Sequence, residues 1–333
     1  MVEEKMSVDE ATELVDEILT EVESVVIADR EFLENIMLGI IAKGHVLLED
    51  VPGTGKTLTA NVFSTALNIE FSRVQFTPDL LPADVLGTSV FNEQEGQFEF
   101  QEGPIFGNVI LGDEINRAPP KTQAAMLEAM AERQVSIEGE TRQLPEPFFV
   151  IATQNPVEQE GTFPLPEAQV DRFLVKDTLG QPDTDGKIEL LRRRSGRTES
   201  IPEASTIIED PQRILDLQQV PERIRVDEDL YTYLSELIEL THEDHRVEVG
   251  VSARGLQRLF EASRARAVIE GREYVIPSDI QRISGPVLAH RLVLTPEAQV
   301  NDVDETTVVQ EIVDQVPVPT IEETGNNQKV GAD

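Results

Sequence analysis

Residues 51 to 57, Val51-Pro52-Gly53-Thr54-Gly55-Lys56-Thr57, set two glycines, a lysine and a threonine in the order that phosphate binding requires. Glycines let successive backbone N–H groups close around an anion as a nest. A helical pattern running from Lys56 to Leu67 starts inside the motif, so the anion would also meet the positive end of that helix. Lys56 is placed to reach β and γ phosphates, and Thr57 offers a hydroxyl to Mg2+. The candidate nucleotide contacts therefore run from Val51 to Leu58. One position departs from the pattern G-x-x-x-x-G-K-[ST]: its first glycine falls on Asp50. A dinucleotide fingerprint fails, because Leu58 stands where its last glycine belongs.

A second constellation is Val109-Ile110-Leu111-Gly112-Asp113-Glu114, an apolar strand that delivers two carboxylates at its C-terminal end. Ligands of open α/β sheets bind at that end of the strands. Asp113 would hold Mg2+ through water, and Glu114 would polarise an attacking water. In so acidic a chain a solvated pair of acids is the competing reading, and the upstream phosphate loop decides against it. Other clusters read more plainly. His242 and His245 sit at a helix end with no third ligand nearby in sequence and read as structural or solvated. Arg192, Arg193, Arg194 and Arg197 read as a solvated helix end or an intersubunit ion-pair site rather than a nucleic-acid patch.

The elements that must position these residues follow from periodicity. Ser7 with Glu10 forms a capping-box pattern that opens a helix to about Val26, and a second helix covers about Glu31 to Ala42. Strands are expected at His45–Leu48, Phe71–Phe76, Val109–Leu111, Phe148–Ala152 and Phe173–Val175. Helices lie between them, at Lys56–Leu67 and from Pro119–Pro120 to about Arg133. Strands separated by crossover helices imply an α/β fold, a parallel sheet with helices on both faces. Two hairpins interrupt it, Gly87–Phe100 and Gln134–Leu144. The phenylalanines of the first, Phe91, Phe98 and Phe100, would face a ring pore or a client, or pack on the hairpin's own base. Past Gln181-Pro182-Asp183 the pattern turns helical, with helices expected at about 186–194, 211–219, 227–241, 252–270 and 278–290. The expected domains are an N-terminal helix (1–30), a nucleotide-binding core (31–182), a small all-α lid (183–296) and a polar, partly disordered tail (297–333).

Among 333 residues, 63 acids against 28 bases give a net charge of −35, which argues against general affinity for nucleic acid or anionic membrane. The acids are spread along the chain, and only seven of the bases are lysine, as expected of a protein adapted to multimolar salt. Without cysteine there is no disulfide framework and no thiolate chemistry. No signal segment and no apolar run near the ~20 residues of a membrane span is visible, so a cytoplasmic location is expected.

The remaining motifs complete a recognisable order. Asn116 to Gln123 follows the carboxylates, Ala152-Thr153-Gln154-Asn155-Pro156 ends the next strand, and Gly161 to Phe173 comes after it. Together these resemble the MoxR family of AAA+ ATPases over about Leu33 to Leu294, and the two hairpins match insertions of that family. The resemblance implies a ring, six subunits by family expectation, that binds ATP and Mg2+. It assigns Asn155 as the polar sensor near the γ-phosphate, Arg172 as the arginine finger for the neighbouring subunit, and Arg254 as the second sensor arginine from the lid. Whether Arg254 acts in cis or in trans stays open, and Ala253 stands where the family often has proline. Chaperone-like assembly of protein complexes, with von Willebrand factor A domain partners, is likewise implied by the resemblance. A nucleic-acid motor, a chelatase-type metal-insertion subunit and a nucleotide-gated scaffold are the competing functions. The acidic second hairpin, with Glu138 and Glu140, counts against the motor.

Overall fold

The structure, a computed structural model, describes residues 5–51, 53–137, 139–156, 161–195 and 204–319, and of Arg194 the backbone alone. Pro52, Glu138, Arg197 and the last part of the expected tail, 320–333, lie outside the described residues.

The chain opens with α1 (Val8–Val25) and α2 (Arg30–Ile41), then enters the nucleotide-binding core. The core runs β1 (Val46–Glu49), α3 (Lys56–Leu67), β2 (Phe71–Gln75), α4 (Pro82–Leu86), the hairpin β3 (Gly87–Asn92) and β4 (Gln97–Glu102), and β5 (Val109–Asp113). It continues with α5 (Pro120–Glu132), the hairpin β6 (Gln134–Ile137) and β7 (Glu140–Gln143), β8 (Phe149–Gln154), α6 (Glu167–Val170) and β9 (Val175–Asp177). The lid comprises α7 (Thr184–Ser195), α8 (Gln212–Leu217), α9 (Glu228–Glu243), β10 (Val247–Val249), α10 (Ala253–Ile269), α11 (Pro277–Leu288), β11 (Val293–Leu294), α12 (Pro296–Val300) and α13 (Glu305–Gln315).

Five parallel strands form the central sheet in the order β2-β5-β8-β1-β9. Side chains alternate across it, as a pleated strand requires. Val46 and Leu48 of β1, Val109 and Leu111 of β5, and Phe149 and Ile151 of β8 join one core with α1, α2, α3 and the lid. Leu47, Ile110, Val150 and Ala152 point to the other face, beneath α4, α5 and the hairpins. β1, β5 and β8 thus end side by side, and all their C-terminal ends open on the same edge.

Three expectations need correction. The last strand begins at Val175, not Phe173: the Phe173 amide closes a turn onto Val170 O (3.0 Å), and its carbonyl accepts from Arg291 (2.6 Å) rather than from a neighbouring strand. The N-terminal helix does not stand apart. Its Ser7–Glu10 capping box forms, but its apolar face lies in the core shared with the lid, and Thr12 Oγ1 donates to Val268 O of α10 (2.8 Å). The lid also runs past residue 296, because Val308, Val309, Ile312 and Val313 of α13 are buried against α9 and α11. The acidic surface of α13 hid an apolar stripe at helical spacing.

Candidate functional site

The phosphate loop joins β1 to α3. Gly53 (φ +87°) and Gly55 (φ +105°) occupy the left-handed region, where a side chain would strain the backbone. Gly55 is the N-cap of α3, so the helix begins at Lys56 with its first amides open to a ligand. Lys56 folds back on the loop, donating to Asp50 O (3.2 Å) and Val51 O (2.9 Å). Burial lowers its pKa, while the charges of Asp50, Asp113 and Glu114 pull it back up. Val51 enters the site through that carbonyl, whereas Leu58 packs against the core and does not line the cavity.

Asp50 is buried, and its carboxylate accepts Leu179 N (2.6 Å) and Gly180 N (3.1 Å). These amides belong to the strap that leads from β9 into the lid. The residue that departs from the phosphate-loop pattern is therefore an anchor between that loop and the lid connection.

The carboxylates arrive where β5 ends. Asp113 accepts from Thr153 Oγ1 (2.8 Å) on β8 and from Arg73 Nη2 (2.6 Å) on β2. Glu114 takes a left-handed backbone (φ +57°), held by Thr153 Oγ1 accepting its N–H (2.9 Å). Its carboxylate accepts from Gln75 Nε2 (2.9 Å) and pairs with Arg117 (2.8 Å). Lys56, Thr57, Asp113, Glu114 and Asn155 line one cavity of about 420 Å3, together with Arg73, Gln75 and Thr153. The Thr57 hydroxyl and the Asp113 carboxylate are hard oxygen donors, which fits Mg2+. Sequence reasoning missed Arg73, Gln75 and Thr153. Each is a polar residue near the C-terminal end of a strand flanking β5, a signal that becomes readable only once the strand order is known.

Arg172 and Arg254 do not line this cavity. They meet at a second one, of about 270 Å3, with Lys43, Arg133, Arg258 and Arg264. Arg172 Nη1 donates to Leu127 O of α5 (2.6 Å), and its buried Nε has no partner among the described residues. Arg254 Nε faces Asp171 Oδ2 at 3.8 Å. His45, also in this wall, is fully buried. Its Nε2 lies 3.2 Å from Met130 O and its Nδ1 accepts Val150 N (3.1 Å), and burial pushes its pKa down to about 3.

The weaker clusters resolve into local contacts. His242 Nε2 lies 2.9 Å from Val251 O, and its ring packs on Gly250, while His245 is exposed beside Asp244 (3.7 Å). Arg193 ties α7 to Ser24 O (2.9 Å) and Glu189. In the first hairpin, Phe100 packs at the base against Phe106 and under Arg142 of the second hairpin (4.1 Å), while Phe91 and Phe98 pair edge to face and stay exposed.

A parallel sheet with a phosphate loop after one strand, paired carboxylates after another, a polar residue after a third and a helical lid defines a P-loop nucleoside triphosphatase of the AAA+ class. Residues 45–175 match the model of the ATPase family associated with various cellular activities (AAA), and residues 239–312 match an AAA lid domain. The chain is 44% identical to YeaC of Bacillus subtilis over 295 residues, covering 89% of this chain and 92% of that protein. It is 39% identical to Chaperone MoxR1 of Mycobacterium tuberculosis over 310 residues, 90% and 81% of the two chains. Protein MoxR of Paracoccus denitrificans is 31% identical over 294 residues, 82% of this chain and 86% of its own. A crystal structure from Cytophaga hutchinsonii superposes with a TM-score of 0.87 at 37% identity, covering 94% of this chain and 97% of that one. The chain belongs to the MoxR family of AAA+ ATPases. Among the described residues, no helix is long and apolar enough to cross a membrane.

Proposed function

We propose that the protein hydrolyses ATP in a ring, six subunits by family expectation, and uses the cycle to assemble or activate other proteins in the cytoplasm. The observation that carries the reading is the gathering of Lys56, Thr57, Asp113, Glu114 and Asn155 around one cavity. In this reading Lys56 and the α3 amides bind the triphosphate. Glu114 takes the proton of the attacking water while the bond from the γ phosphorus to the bridging oxygen breaks. Asn155 orients that water. Thr57 and Asp113 hold Mg2+, which when bound neutralises charge on the phosphates.

Arg172 and Arg254 act on a neighbour's nucleotide. What supports this is their absence from their own chain's phosphate cavity and their company: six basic side chains line the second cavity against two acids, Glu222 and Glu261, in a chain of net charge −35. Leaving the buried Arg172 Nε unpaired costs about 1–3 kcal/mol, and an incoming phosphate would relieve that. Clients with a von Willebrand factor A domain are proposed on family membership, and Phe91 and Phe98 give an exposed aromatic pair for gripping them. The spread acidity adapts the chain to molar salt.

Glu114→Gln tests the core of this reading. The variant should bind ATP yet turn it over at least about 100-fold more slowly, because proton acceptance is lost. Phosphate release near the wild-type rate would refute it. The same variant, loaded with ATP in molar KCl, should retain a purified candidate client that wild type releases.

A further inference from the structure

Arg291 ends the 3-10 turn Ala289–Arg291 that follows α11 in the lid, and its guanidinium is almost wholly buried. It does not serve the lid alone. Nε donates to Asp171 Oδ1 (2.9 Å), Nη2 to Phe173 O (2.6 Å) and Asp171 O (3.3 Å), and Nη1 to Leu174 O (3.3 Å) as well as to Val287 O of its own helix. Nη1 also donates to Nε2 of the neighbouring His290 (2.7 Å), so that nitrogen accepts and Phe173 O is held by Arg291. The carbonyls on both sides of Arg172 are thus held by one lid side chain. The other oxygen of Asp171 faces Arg254 of α10 at 3.8 Å. Burial lowers the Arg291 pKa only to about 10, with Asp171 opposing the fall, so the charge persists at neutral pH.

Buried ion pairs are weak stabilisers, and apolar packing of the same volume would hold two elements together as well. What a five-donor planar fork adds is orientation. We propose that Arg291 is a positioning residue that ties the backbone of Arg172 to the lid, against the Leu174 N to His45 O bond (2.8 Å) that ties the same segment to the sheet. When the lid rotates, Arg172 advances toward, or retreats from, the neighbouring subunit's nucleotide. The inference rests on the arginine-finger reading of Arg172 and adds to it the element that aims the finger.

The test uses full-length rings carrying Arg291→Met and Arg291→Lys beside Arg172→Ala. Misplacing a reacting group by about 1 Å costs about 100-fold. Arg291→Met should therefore lower kcat about 100-fold while KM and the affinity for a fluorescent ATP analogue stay within about threefold. Arg291→Lys, which keeps the charge but not the fork, should fall between. Combined with Arg172→Ala, Arg291→Met should add no further loss. In rings mixed with Glu114→Gln subunits, Arg291→Met subunits should regain turnover, since their own site is intact and the neighbour's finger serves it. A lid that merely unfolds would lose ATP affinity and would not be rescued. The inference is overturned if Arg172→Ala abolishes turnover while both Arg291 variants keep wild-type kcat, or if affinity collapses without rescue in mixed rings. Turnover indifferent to Arg172→Ala overturns the finger reading itself, and this inference with it.

Discussion

Asp50→Asn changes one atom and tests whether the phosphate loop holds the lid strap. The Asp50 carboxylate accepts Leu179 N at 2.6 Å and Gly180 N at 3.1 Å inside a buried site. Asparagine keeps one acceptor oxygen and turns an NH2 toward the other amide. A hydrogen bond to a charged group contributes about 1.5–3 kcal/mol, and a donor left facing a donor adds to the loss. Opening of the strap should therefore become easier by about 2 kcal/mol, about a 30-fold drop in hydrogen-exchange protection at Leu179 and Gly180. The Val150 amide, bound by the His45 ring (3.1 Å), lies elsewhere in the sheet and serves as the internal control. Unchanged protection at both amides, with the fold intact, would refute the anchor.

Three further outcomes are expected. His45 is held neutral in the fold, with its pKa pushed to about 3, while the unfolded chain protonates it near 6.5. Stability is thus fully present above that value and falls as the pH drops toward 3, by about 1.4 kcal/mol per pH unit. In His45→Gln the slope of unfolding free energy at pH 5 should shrink by about one proton, and an unchanged slope would count against the buried neutral ring. Arg266 of α10 is buried with Glu34 (2.7 Å) on α2 and Glu270 as partners, and Glu34 also pairs with Arg282 (3.1 Å) and Arg30 (3.5 Å), so Arg266→Met should cost less in urea unfolding than the about 3–5 kcal/mol of a stranded buried charge; a loss of that full size would refute the shared network. Finally, with a net charge of −35, the thermal midpoint should rise steadily from 0.1 to about 1 M KCl as the Debye length shrinks from about 10 to 3 Å. A flat response would remove the case for salt adaptation.

The order of strands and helices was legible because both periods are strong: β1, β5 and β8 are short apolar runs, and α3 starts at the residue the motif marks. The chemistry-bearing residues that the sequence displays are those carried by local patterns: Lys56 and Thr57 in a loop, Asp113 and Glu114 at a strand end. What stayed hidden depends on pairings between distant segments. Arg73 meets Asp113 because β2 and β5 are neighbours, and Gln75 sits opposite Asp113 in their register. Asp50 looked like a flaw in the glycine pattern because its partners lie about 130 residues downstream. The lid's true end was missed for another reason: α13 buries four aliphatics under an acidic surface, and Pro317 and Pro319 beyond it suggested a loop.

The two anchors, Asp50 and Arg291, sit at opposite ends of one mechanical route. On the proposed reading, a nucleotide drawn onto the α3 amides would act on the loop that carries Asp50, and Asp50 holds the strap into the lid. The lid's far end grips the segment bearing Arg172. With Arg172 as the proposed finger, one subunit's nucleotide would bias where that finger stands against the next subunit's site. Such coupling is reciprocal for binding: a finger engaged by the neighbour's phosphates must raise or lower the first subunit's ATP affinity by the same factor. The route works only if the lid moves as one body, and α1 is placed to enforce that. Its buried face packs in the core common to the sheet and lid, and Thr12 bonds α10 directly. Because α1 packs on α3 of the core as well as on α10 of the lid, weakening the Thr12 contact to Val268 should loosen the proposed coupling between subunits while leaving each phosphate site intact.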